Sequence, residues 1–92
     1  MHKVYAINYD LKAPGRNYAP LYEAIKKSPK WWHYLESTWL VYSEESAKQI
    51  WDRLSPNIDK NDLLLIIEVR SNCWGILPKE AWGWISQHAQ AP

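Results

Sequence analysis

Apolar residues recur along this chain with two periods, one typical of helices and one typical of strands. The helical spacing i, i+3, i+4, i+7 is set by Tyr18, Leu21, Tyr22 and Ile25, and again by Ala47, Ile50, Trp51 and Leu54. The first set predicts a helix over about 18–27, with Asn17 as its N-cap and Ser28-Pro29 as its end. The second set predicts a helix capped by Ser43, with acidic residues in its first turn.

Runs of apolar, aromatic and β-branched residues predict four strands. The runs cover residues 4–9, 31–35, 38–42 and 63–69. The last run is interrupted only by Glu68, which is typical of a central strand covered on at least one face. A short segment, 73–77, follows it, and Pro78 favours the start of a third helix that ends near His88.

The predicted order, β-α-β-β-α-β with a helical tail, indicates a ferredoxin-like α+β sandwich with an antiparallel sheet and both amphipathic helices on one face. The 92 residues predict a single domain, 1–92, with a core over about 3–70 and a tail and helix over about 73–89. Aromatic rings occupy both faces of the strands, so two helices leave apolar surface uncovered. We therefore expect a homodimer.

The C-terminal helix has an apolar face of its own. Ala81, Trp82 and Ile85 fall on that face, while Trp84 lies off its centre. The face either packs on the sheet or forms part of a dimer contact.

Composition narrows the functional classes. Eleven basic and ten acidic side chains give a net charge of +1, so nucleic-acid binding would have to come from a local patch. A single cysteine excludes an internal disulfide framework.

The longest apolar run, 63–67, is far shorter than the ~20 residues that cross a bilayer, and the N-terminus lacks the apolar region of a signal peptide. We expect a cytoplasmic protein with no membrane partner.

Three segments resemble small proteins labelled SinR-family: VYAINYDL at 4–11, LESTWLV at 35–41 and IDKNDLLLII at 58–67. This resemblance extends over nearly the whole chain. More distantly, residues 3–70 resemble the second CRISPR-associated protein, which is the dimer of the adaptation complex, and the VapD-type toxin ribonucleases. No helix-turn-helix can be placed, so the SinR label adds no regulatory mechanism.

The resemblance implies a ferredoxin-like homodimer and, in active relatives, metal-dependent cleavage of phosphodiesters. In those relatives an aspartate ends the first strand near the dimer axis, and Asp10 matches that position. A serine follows their first helix in the region of the second strand, and Ser37 matches it. The resemblance thus implies Asp10 and Ser37 as catalytic residues.

Asp10 is also the candidate metal ligand. A carboxylate at a strand end can ligate Mg²⁺ or Mn²⁺, and such an ion can clamp a phosphate and activate water. Two carboxylates would meet only if a dimer axis brought Asp10 of each chain together. The alternative is that Asp10 accepts hydrogen bonds from backbone N–H groups of the following loop.

Lysines and aromatic rings interleave between the first helix and the second strand. Lys26, Lys27 and Lys30 precede Trp-Trp-His-Tyr at 31–34, a pattern that suits stacking on single-stranded nucleic acid. Arg16, in the loop before the first helix, could add a phosphate contact. The alternative is a solvated lysine cluster beside core tryptophans.

Two functions remain open at this point. The chain is either a dimeric protein that acts on nucleic acid as an endonuclease dependent on Mg²⁺ or Mn²⁺, or a non-catalytic dimeric binding or assembly module that keeps the fold without nuclease activity.

Overall fold

Four strands form one antiparallel sheet: β1 (Lys3–Asp10), β2 (Lys30–Leu35), β3 (Thr38–Ser43) and β4 (Leu63–Val69). Their order across the sheet is β2-β3-β1-β4. The structure is a computed structural model, and it describes residues 1–91. Three α-helices complete it: α1 (Ala19–Ile25), α2 (Ala47–Leu54) and α3 (Lys79–His88). This small α+β architecture confirms the predicted class and is compatible with a ferredoxin-like fold.

The two faces of the sheet carry separate cores, because successive residues of a strand point to opposite sides. Helices α1 and α2 cover one face, where Tyr5 and Ile7 of β1 are buried. Helix α3 lies on the other face, where Val4 and Ala6 pack with Ile85. The expected packing of the C-terminal helix on the sheet is therefore confirmed.

Helix α3 covers only part of its face. In the pairing of β1 with β4, Asp10 lies opposite Leu63, Asn8 opposite Leu65 and Ala6 opposite Ile67. Residues directly opposite in an antiparallel pair share a face, so these three apolar side chains of β4 lie on the α3 side. All three remain exposed.

Strand β4 is an edge strand, so the prediction that it is central was wrong. The apolar run of β4 reflects one face that is partly buried under α1 and α2, at Leu64 and Ile66, and one apolar face that the described chain leaves exposed. Sequence cannot distinguish this arrangement from burial on both faces, because both produce a continuous apolar run.

Helix α2 begins three residues later than predicted. Ser46 is its N-cap and forms a capping box with Gln49: the Ser46 hydroxyl accepts from the Gln49 N–H at 3.2 Å, and the Gln49 amide oxygen accepts from the Ser46 N–H at 2.8 Å. Ser43 instead ends β3, where its hydroxyl donates to the Glu45 carboxylate at 2.8 Å. The reciprocal pair satisfies two otherwise unpaired N–H groups, which a lone serine at position 43 cannot do.

Helix α1 also begins later than predicted, with Tyr18 as its N-cap residue. The Asn17 side chain still accepts a hydrogen bond from the Ala19 N–H at 3.0 Å. The helix ends at Ile25, so Lys26 and Lys27 lie in the turn beyond it.

The segment after α3 returns to the start of the chain. The Gln90 carbonyl accepts from the Ser71 N–H at 2.8 Å, and the Gln90 side chain donates to the His2 carbonyl at 3.1 Å. No helix within residues 1–91 combines the length and the apolar character needed to cross a membrane.

Candidate functional site

Asp10 and Ser37 lie at the same end of the sheet. Asp10 is the exposed last residue of β1, and Ser37 lies in the two-residue turn between β2 and β3. The Ser37 carbonyl accepts a hydrogen bond from the Tyr9 N–H at 3.1 Å, so the turn is fixed to the residue next to Asp10. The topology therefore brings the two predicted catalytic residues together, although no hydrogen bond joins their side chains in residues 1–91.

The surroundings of Asp10 are poor in metal ligands. Its closest charged neighbour is the Lys12 ammonium, 3.6 Å from the carboxylate, and its strand partner is the apolar Leu63. Across residues 1–91, no three His, Cys, Asp or Glu side chains lie close enough together to hold a metal ion. Mg²⁺ and Mn²⁺ take several oxygen ligands, whereas Asp10 is paired with a lysine and belongs to no such group within residues 1–91.

A different aspartate accepts the hydrogen bonds of the loop that follows β1. Asp62 accepts from the Lys12 N–H at 2.6 Å, from the Asp59 N–H at 2.8 Å and from the Tyr18 hydroxyl at 2.8 Å. Desolvation alone would raise the pKa of Asp62, but these hydrogen bonds and the nearby Arg16 outweigh it, so the pKa lies below its ordinary value. Asp62 thereby fastens the loop before α1 to the loop before β4.

The loop-binding role suggested for Asp10 thus belongs to Asp62, which the sequence analysis missed. The signal was present in the segment Asp-Lys-Asn-Asp at 59–62, because paired aspartates directly before a strand often accept backbone N–H groups. This local pattern does not reveal which loop Asp62 binds, because that loop lies about 50 residues earlier in the chain.

The four predicted nucleic-acid contacts fall at two ends of the sheet. Arg16 lies in the loop at the Asp10 end, 4.0 Å from the Asp59 carboxylate and over the Tyr18 ring. Helix α1 then runs back along the sheet, which places Lys26, Lys27 and Lys30 at the opposite end. The structure therefore groups the three lysines and separates Arg16 from them.

The aromatic run at 31–34 divides between core and surface. Trp32 is buried in the core under α3, and His33 stacks on Trp39 with 3.8 Å between ring centroids. Trp31 and Tyr34 keep 42% and 59% of their surface exposed on the edge strand β2. The Lys26 ammonium lies 5.4 Å from the centre of the Trp31 ring. Two of the four rings are therefore packed in the fold, and two remain exposed on opposite faces of the strand.

Strand β4 carries an uncovered apolar surface, the β4 stripe, formed by Leu63, Leu65 and Ile67. Their exposed fractions are 59%, 58% and 52%. The stripe lies on an edge strand, whose outer backbone groups have no strand partner within residues 1–91. Asp10 and Asn8 border it on the same face.

Comparison of the chain with models of protein families, with curated proteins and with solved structures found no match. The arguments for function below rest on the residues and their geometry.

Proposed function

We propose that this protein is a homodimeric, ferredoxin-like binding module that assembles through the β4 stripe and binds single-stranded nucleic acid at the lysine end of β2 without cleaving it. The observation that carries the proposal is the uncovered β4 stripe. The more distant resemblance of residues 3–70 to the second CRISPR-associated protein and to the VapD-type ribonucleases is what favours nucleic acid as the ligand.

Two properties of the stripe support assembly with a second copy. Three consecutive outward positions of one strand are large and apolar, whereas solvent-facing strand positions are usually polar. The stripe also lies on an edge, and long apolar edges promote pairing with another strand unless something covers them. A two-fold axis through the stripe would cover it on both copies with the same residues, as in most homodimers.

The test of assembly is a charge placed in the stripe. Leu65→Lys should convert a dimer of about twice 10.9 kDa into a monomer in sedimentation velocity at micromolar concentration. Tyr34→Lys is the matched control, because Tyr34 is equally exposed but lies on the opposite edge strand, and it should leave the dimer intact. A monomeric parent protein, or a Leu65→Lys protein that still dimerises, would contradict the proposal.

The lysine end of β2 supports binding of a phosphate backbone beside stacked bases. Lys27 and Lys30 have no carboxylate within 4 Å in residues 1–91, so their charges are available to phosphates. The exposed Trp31 ring lies next to Lys30 on the same edge strand and offers a face for stacking.

A metal-dependent endonuclease is the second candidate, and the position of Asp10 favours it. Asp10 lies on the same sheet face as the β4 stripe, so the face that would join two copies also carries the carboxylate of each. This candidate would draw ligands from both chains, because Asp10 belongs to no group of three candidate metal ligands within residues 1–91.

Cleavage of short RNA and DNA with Mg²⁺ or Mn²⁺ separates the two candidates. A nuclease would lose activity in Asp10→Ala and in excess chelator while keeping its circular dichroism, and the control Glu23→Gln, an exposed carboxylate on α1, would keep full activity. A binding module shows no cleavage in any of these proteins. Cleavage that persists in Asp10→Ala would contradict the role given to this residue.

A further inference from the structure

A hollow lies where the segment joining β4 to α3 crosses the sheet. One part, about 330 Å³, is lined by Cys73, Trp74, Gly75 and Trp82. An adjoining part, about 200 Å³, shares Cys73, Trp74 and Trp82 and reaches the sheet at Trp32. The first part alone is at the lower end of the range of sites that hold small molecules.

Trp32, which lines the inner part of the hollow, carries a polar group that has no partner. The residue is 6% exposed, and its Nε1–H is buried with no hydrogen-bond acceptor among the described residues. Buried donors are nearly always paired, so an orphan of this kind needs an explanation. The other side chains around the inner part are apolar, aromatic or a thiol, and none of them supplies a strong acceptor.

The wall of the hollow is held loosely. No backbone hydrogen bond ties residues 74–77 to the sheet or to α3 within residues 1–91. Trp74, at the mouth, is 96% exposed, although a tryptophan on a protein surface normally packs against something. A ligand would reach the buried Trp32 Nε1–H only if this segment shifted outward from Cys73 and Leu77, which pack on the second core, and the Trp74 ring is available to lie against that ligand.

We propose that this hollow binds a small, neutral, planar aromatic molecule that carries one carbonyl-type acceptor for the Trp32 Nε1–H. Aromatic walls at Trp74 and Trp82 favour a flat ligand. The lining residues carry no ionised side chain, which favours a neutral one. The site is separate from the lysine end of β2 and goes beyond the nucleic-acid binding proposed above.

The test compares two probes of nearly the same shape, acetophenone and α-methylstyrene, which differ in having or lacking the carbonyl oxygen. In protein labelled with ¹⁵N, acetophenone should move the Trp32 indole N–H resonance downfield. It should also bind roughly three- to tenfold more tightly than α-methylstyrene, the ratio that one neutral hydrogen bond supplies. Trp32→Phe should remove that ratio, and the control Trp51→Phe, a change on α2, should preserve it.

Cys73 supplies a second measurement that does not depend on any variant. It is the one cysteine of the chain and lines both parts of the hollow, so acetophenone should slow its reaction with a thiol reagent such as 5,5′-dithiobis(2-nitrobenzoic acid). If Trp32→Phe fails to fold, this protection in the parent protein decides the question. Absence of protection, or equal affinity of the parent for the two probes, would overturn the proposal.

Discussion

At the scale of single residues, Arg53 connects three separate parts of the fold. Its guanidinium donates to the Glu45 carboxylate at 2.9 Å, to the Ser28 hydroxyl at 3.0 Å and to the Ala24 carbonyl. Desolvation would raise the pKa of Glu45, but hydrogen bonds from Arg53 and Ser43 outweigh it and hold that pKa below its ordinary value. The carboxylate is therefore stabilised more in the folded state than in the unfolded chain.

The Glu45 contact predicts how stability depends on pH. A carboxyl whose pKa is lower in the folded state adds stability above its unfolded pKa of about 4.3, and that contribution disappears as the pH falls through the folded pKa. The free energy of unfolding, measured in urea at several pH values, should therefore fall less steeply from pH 5 to pH 3 in Glu45→Gln than in the parent.

Glu23→Gln is the control for this experiment, because Glu23 is mostly exposed and should leave the slope unchanged. If the free energy of unfolding fell equally steeply from pH 5 to pH 3 in Glu45→Gln and in the parent, the stabilising role given to Glu45 would be contradicted. The pKa of Asp62 is also lowered, so Asp62 adds to the loss of stability at low pH. This effect is the same in the parent, Glu45→Gln and Glu23→Gln, and does not alter the comparison.

The sequence placed Asp10 and Ser37 correctly relative to the sheet but missed Asp62. The position of a residue at a strand end follows from local pattern, so Asp10 could be located without any distant contact. The hydrogen bonds of Asp62 join residues 44 and 50 positions apart. No local pattern contains such partners.

At the scale of elements, α3 depends on its docking. It has ten residues and no side-chain N-cap, and isolated helices shorter than ~12–15 residues are marginal in water. Ala81 and Ile85 are its buried residues, and both pack on the sheet in the second core.

We expect Ile85→Ala to lower the free energy of unfolding by about 2–5 kcal/mol, because it removes a buried side chain and leaves a cavity. The control Gln87→Ala changes an exposed position of the same helix and should alter stability by less than about 0.5 kcal/mol. Urea unfolding followed by far-ultraviolet circular dichroism measures both. An Ile85→Ala protein with the stability of the parent would show that α3 is attached without contributing to the core.

The strands and the starts of α1 and α3 were predicted closely, whereas the start of α2 was not. Each strand agreed within about one residue, because runs of apolar and β-branched residues end sharply at polar turns. The start of α2 was misplaced because Ser43 and Ser46 are both acceptable caps, and only the Gln49 side chain, reaching back to Ser46, distinguishes them. The edge position of β4 could not be predicted, since strand order depends on pairing across the whole chain.

At the scale of the whole molecule, the separation of basic residues limits what a nucleic acid can contact at once. The lysine end of β2 carries Lys26, Lys27 and Lys30, while Arg16 lies at the other end beside Asp59. A short strand bound at the lysine end therefore gains few phosphate contacts and none from Arg16.

We expect the logarithm of affinity for a short single-stranded oligonucleotide to fall against the logarithm of salt concentration with a slope of about −2 to −3. Replacing Lys27 and Lys30 together by alanine should weaken binding and flatten this slope, while Arg16→Ala should change neither. Fluorescence anisotropy of a labelled oligonucleotide at several salt concentrations measures both the affinity and the slope. A steep slope, or loss of binding in Arg16→Ala, would show that the nucleic acid follows a different path, and no binding at ~50 mM salt would point to a protein ligand.

The contacts of Gln90 with His2 and Ser71 have a topological consequence. They hold positions 2 and 90 side by side, so a short linker between these positions would make the backbone circular. The position at which such a circular chain is opened has little effect on how its strands and helices pack. A few flexible residues joining positions 2 and 90, with new ends opened at the exposed turn at Gly15, would give a circular permutant with the same sheet and both cores. In that permutant α3 would precede β1 and be connected to it directly.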